Sequence, residues 1–175
     1  MLKLSDAFIS LPVISLRTGA AIGKTLQPLI NPNNLKIEAW YCSSIYSKQA
    51  VLLPVQEIRE ISKLGVAVND HESLTEPEDL IRLQKLIKIQ FNPIGKQVIT
   101  ESRKKLGKVE DYAVDLDSMY IVNLYVSQRS LKSFTNPPLT VNRLQIVEIT
   151  DKRIVIKDIE NVKPISATAP IAVSA

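Results

Sequence analysis

Apolar and polar residues alternate in short runs along much of this chain. Leu35-Lys-Ile-Glu-Ala-Trp-Tyr41 and Tyr120-Ile-Val-Asn-Leu-Tyr-Val126 are the clearest. A period of two places every second side chain on one face of an extended strand, so these runs predict strands of an antiparallel sheet or small barrel. The runs also repeat. Leu11-Pro-Val-Ile-Ser leads to Ala21-Ile-Gly-Lys24, and Lys96-Gln-Val-Ile-Thr100 leads to Lys105-Leu-Gly-Lys108 at nearly the same distance. Leu53 to Ile61 leads to Gly65-Val-Ala-Val-Asn-Asp70, and Leu139 to Ile149 leads to Arg153-Ile-Val-Ile-Lys-Asp158. An internal repeat of this kind points to one structural unit used twice.

Between the copies the period changes. Thr75-Glu-Pro-Glu78 reads as a capping box, with Pro77 in the first turn, where no intrahelical N–H is needed. Leu80, Leu83 and Ile87, with Ile81 and Leu86 beside them, then form an apolar stripe at helical spacing. One helix over about 76–89 is expected to join the copies and pack on one of them. A partner groove or a dimer seam is the other use such a stripe could have.

The repeated segments resemble the PRC-barrel family. The resemblance rests on Gly95-Lys-Gln-Val-Ile-Thr-Glu-Ser102, Leu106-Gly-Lys-Val-Glu-Asp-Tyr-Ala-Val-Asp115 and the Tyr120–Val126 run. The first copy keeps Val13, Ile22-Gly23-Lys24 and Val66–Asp70, but departs after Lys24, where Pro28 and Asn31-Pro32-Asn33-Asn34 stand. The resemblance implies a mainly β fold, two small PRC-type β-barrels in tandem joined by one α-helix. It divides the chain into a divergent first unit (1–70), a helical linker (71–90), a second unit (91–160) and a flexible tail (161–175). Gly23 and Gly107 are expected where one strand turns into the next, because glycine takes φ > 0 without strain. The family includes the cytoplasmic part of the photosynthetic reaction centre H subunit and the C-terminal part of a 16S ribosomal RNA maturation factor. Neither specific function carries over to this chain; the resemblance implies a scaffold for binding.

Composition changes this picture little. Net charge is +4, from 22 basic and 18 acidic residues, and no half is basic enough to require nucleic acid. One cysteine, Cys42, excludes an internal disulfide and fits a reducing compartment, with the cytoplasm as the expected location. No signal peptide and no membrane-spanning run is expected.

Candidate chemistry is sparse. Thr18 to Thr25 imitates a phosphate loop, but the first glycine is one position out of register, and Pro28 and Pro32 would break the helix that must follow. The only His, His71, and the only Cys, Cys42, form no metal or catalytic cluster by spacing. Asp111, Asp115 and Asp117 share one strand face, where a solvated row is the expected role. No cofactor, metal or catalytic residue is expected. The one cluster retained as a binding candidate is Arg103, Lys104, Lys105 and Lys108, at the exposed turn of the second copy. The expected function is therefore a non-catalytic adaptor making protein–protein contacts, with homo-oligomerisation open. The alternative is an accessory factor bound to RNA or a ribosomal particle.

Overall fold

The computed structural model describes residues 1–127 and 138–158, and the tail expected over 161–175 lies outside them. Within them the chain is mainly β. The first set of strands is β1 (Leu2–Leu4), β2 (Pro12–Ser15), β3 (Ala21–Asn31), β4 (Lys36–Ser44), β5 (Val51–Pro54), β6 (Ile58–Ser62) and β7 (Gly65–Val68). After a short helix, α1 (Gln84–Ile89), come β8 (Gln97–Thr100), β9 (Lys105–Asp115), β10 (Tyr120–Ser127), β11 (Leu139–Asn142), β12 (Ile146–Ile149) and β13 (Arg153–Ile156).

Residues 12–68 and 97–156 pair their strands in the same order. β2–β3, β3–β4, β4–β5 and β6–β7 are antiparallel and β2–β7 is parallel. β8–β9, β9–β10, β10–β11 and β12–β13 are antiparallel and β8–β13 is parallel. Even the register agrees: Val13 lies opposite Gly23 and Val66, and Val98 opposite Gly107 and Ile154.

The ladders do not close into the barrels that the resemblance implies. β5 pairs with β4 at one edge and β6 with β7 at the other, and a 3-10 turn, Val55–Glu57, joins the two. That turn spends its hydrogen bonding locally, the Ile58 N–H donating to the Val55 carbonyl, so β5 and β6 form no ladder with each other. The curl is completed by a bent chain. Arg143–Gln145 does the same between β11 and β12, with a capping box between Asn142 and Gln145.

The linker also departs from expectation. Thr75 donates to and accepts from Leu52, both at 2.8 Å, and so is extended and caps nothing. Two 3-10 turns, Pro77–Asp79 and Ile81–Leu83, precede α1, which ends at Gln90 in the left-handed region (φ 48°). A single helix over 76–89 is therefore broken after Asp79, because Leu80 takes a non-helical conformation. The apolar stripe still finds a core. Leu80, Leu83, Leu86 and Ile87 pack on Leu29, Ala39, Tyr41 and Leu52 of the first set, whereas Ile81 is 81% exposed.

The two sets join at their hairpin tips. Lys36 pairs with Tyr120; the Ile37 N–H donates to the Met119 carbonyl (2.8 Å), and the Ile121 N–H to the Leu35 carbonyl (2.9 Å). Each tip is built alike. Leu35 N–H donates to Asn31 O and Met119 N–H to Asp115 O, both at 2.8 Å, and Leu35 and Met119 share a φ of 59°. Left-handed backbone at a residue with a side chain costs about 1–2 kcal/mol. Burial of both side chains at the junction opposes that cost. A single core then runs through both sets, from Val13, Ile37 and Trp40 to Val98, Ile121 and Leu124. The N-terminus reinforces the junction: β1 pairs with β9, and the Met1 ammonium meets Asp115 (3.0 Å) and Asp117 (3.1 Å).

Gly23 and Gly107 lie inside β3 and β9 and not at the turns, which fall before Ala21 and before Lys105. They are needed for close approach of a third strand. A Cβ on Gly23 would sit 2.1 Å from the Ser43 carbonyl oxygen, and one on Gly107 1.8 Å from that of Ser127. Gly107 also has a φ of +144°, which side-chain-bearing residues rarely adopt. Gly107→Ala is expected to cost about 3 kcal/mol. Gly95→Ala, where φ is +83° but nothing lies within 4 Å, should cost about 1–2 kcal/mol. Urea-unfolding midpoints would show the order, and equal losses would contradict the close-approach role.

Candidate functional site

Two surfaces stand out. The first is a groove between the strand sets, with a volume of about 310 Å³, at the small end of ligand-pocket sizes. Buried Leu29, Ile30 and Phe91 line it together with Tyr41 and Tyr112. Ile9, Leu26 and Ile94 stand among its lining residues at 56%, 42% and 43% exposure. The Tyr41 hydroxyl has no hydrogen-bond partner, and burial pushes its pKa up, so the phenol stays neutral. Local chain direction explains the groove: Phe91 to Ile94 enters β8 just where Ser5 to Ile9 crosses toward β2.

The second surface is the β8–β9 hairpin. Arg103, Lys104, Lys105 and Lys108 are all exposed, as the sequence suggests. Arg103 is left-handed (φ 67°), which turns the chain sharply, and its N–H donates to the Thr100 carbonyl (2.9 Å). Asp158 braces the hairpin by accepting from the Ser102 hydroxyl (2.6 Å) and N–H (3.3 Å), and the Ser102 and Thr100 hydroxyls hold its carboxyl below the ordinary range. The corresponding brace in the first set differs. Asp70 accepts from the Ser15 hydroxyl (3.4 Å) and pairs with Arg17 (2.9 Å). Sequence alone did not show that Arg153 belongs with the basic hairpin. Its register does: Arg153 pairs with Gln97, which pairs with Lys108. The apolar-x-apolar-x-Asp repeat placed β13, but not which strand lay beside it.

A wider groove, about 1050 Å³, runs between the 79–89 segment and the first set of strands. Glu38, Glu57, Asp70, Glu72 and Asp79 line it together with Arg17, Arg82 and Lys85, so acidic residues outnumber basic ones five to three.

The other candidates take structural places. The phosphate-loop imitation is a strand: Lys24 and Thr25 lie in β3, and the buried Thr25 hydroxyl donates to the Phe8 carbonyl (2.5 Å) and accepts from the Leu11 N–H (3.0 Å). Asp111 accepts from the Ser5 hydroxyl (2.6 Å), while Asp115 and Asp117 hold the N-terminus. His71 sits at the surface, its Nδ1 3.1 Å from Asp70 and its ring against Tyr46. Among the described residues no three His, Cys, Asp or Glu side chains gather as a metal site. No helix there is long and apolar enough to cross a membrane.

Cys42 is fully buried, and desolvation pushes its thiol up to about 12. The thiolate is the reactive form. Ellman's reagent at pH 8 is therefore expected to leave the native protein unmodified and to titrate one thiol in denaturant. Rapid native labelling would contradict the burial.

No curated protein matches the chain. Residues 90–163, which include the whole of β8 to β13, match the model of the PRC-barrel domain.

Proposed function

We propose that this protein is a non-catalytic adaptor, made of two PRC-type units, that holds a protein partner at the groove between them. The match over 90–163 supports a binding module, and the identical pairing order of 12–68 supports reading the first set as a second such unit. The observation that carries the reading is the trio of exposed apolar residues, Ile9, Leu26 and Ile94, around a floor of Leu29, Ile30 and Phe91. Protein interfaces gain most of their energy where an anchor side chain fills such an apolar depression. A continuous core beneath the groove keeps its walls fixed, which lowers the ordering cost of binding.

Affinity capture from the native cell extract tests this. The wild-type protein is expected to recover a stoichiometric partner. Leu26→Glu and Ile94→Glu should each reduce recovery at least about tenfold, since a charge buried at an anchor costs more than 1.4 kcal/mol. Ile81→Glu, at an exposed site on the linker, should recover it as the wild type does. Equal capture by all variants would remove the groove from the account. Repeated failure to recover any partner would count against the adaptor reading itself.

A further inference from the structure

We infer that the outer face of the β8–β9–β13 sheet, with the hairpin tip beside it, is a binding surface for the phosphate backbone of RNA. This does not depend on the adaptor reading, because the face is built from other residues than the groove. Val98 is fully buried, so its neighbours Gln97 and Ile99 take the opposite face of β8. Paired residues on adjacent strands share a face. Arg153 and Lys108 therefore flank Gln97 in one row, and half-buried Val155 and exposed Lys105 flank Ile99, itself buried, in the next. Strands lie about 4.8 Å apart, which places Arg153 and Lys108 about 10 Å apart on one rigid surface. Arg103 and Lys104 extend the same basic region at the turn.

Three further observations mark this face. Among the described residues none of these five cations is in an ion pair. The equivalent hairpin of the first set neutralises its arginine, Arg17, with Asp70, whereas Asp158 is occupied by Ser102 and leaves the cations to solvent. Segments 96–110 and 151–158 together hold eight basic residues against Glu101, Glu110, Asp151 and Asp158, an excess of four that equals the net charge of the whole chain. Outside these segments the described residues hold 11 basic against 13 acidic side chains, so among the described residues the positive field is concentrated here.

The chemistry favours a nucleic-acid phosphate backbone over a membrane or an acidic protein. Neither segment carries an exposed large apolar side chain that could enter a bilayer or act as a protein anchor. Nucleic-acid interfaces are by contrast polar and strongly positive. Arg103, Lys104, Lys105, Lys108 and Arg153 contact phosphates, and with no aromatic side chain in either segment the contact is independent of base sequence.

Fluorescence anisotropy of the full chain with a labelled 20-nucleotide single-stranded RNA tests the inference. Five phosphate contacts give a slope of about −3.5 in log K against log salt, or roughly a hundredfold loss between 50 and 200 mM. The triple variant Lys105→Glu, Lys108→Glu, Arg153→Glu should weaken binding more than tenfold at 50 mM salt. The control Lys48→Glu, Lys63→Glu, Lys85→Glu, with the same change in net charge at exposed sites, should stay within about twofold. Arg103→Glu with Lys104→Glu, which touches only the turn, should weaken binding several-fold without altering the melting temperature. Equal losses in the triple variant and its control would overturn the inference. So would absence of RNA binding at 50 mM salt, or binding to phosphatidylserine vesicles in place of RNA.

Discussion

Two backbone hydrogen bonds, Ile37 to Met119 and Ile121 to Leu35, set how the hairpin tips of the two strand sets meet. They relate the two hairpin tips as two subunits of a symmetric dimer are related, each giving the other the same donor and the same acceptor. The tips can meet only because Leu35 and Met119 adopt left-handed backbone, which the shared junction stabilises against its intrinsic cost. The core continues through that junction, so the groove and the basic face are built on the same core. β1, laid against β9 with its ammonium on Asp115 and Asp117, then ties the start of the chain to the second set of strands.

The sequence made the strands legible because alternation survives wherever one face is buried. Lys36–Tyr41 and Tyr120–Val126 fall within β4 and β10, and the apolar residues of Gly65–Asp70 and Arg153–Asp158 fall on β7 and β13, with each Asp just beyond its strand. The start of the linker departs from its local pattern. Thr75-Glu-Pro-Glu78 has the composition of a cap, yet pairing of Thr75 with Leu52 takes both of its backbone groups. A local motif lost to a tertiary hydrogen bond. Glycine's backbone freedom is used at Gly107, where φ is +144°, but the position inside a strand and the close approach to Ser43 and Ser127 have no local signal, because those residues are distant in the chain.

Site residues followed the same division. Arg103, Lys104, Lys105 and Lys108 are close in sequence, so their grouping was visible. Arg153 joins them only through the parallel pairing of β13 with β8, a register that alternation cannot supply. The groove was invisible for a similar reason, since Ile9, Leu26 and Ile94 come from three distant segments. Leu35 and Met119 gave no signal at all, because neither residue type favours the backbone region it occupies.

Amide hydrogen exchange at Ile37 and Ile121 tests the central claim most directly. If the tips are joined as described, both amides exchange only on global unfolding, with protection equal to that of core-strand amides such as Val98 and Val66. Fast exchange at Ile37 and Ile121, with the core strands still protected, would show that the two strand sets part independently and would contradict the account.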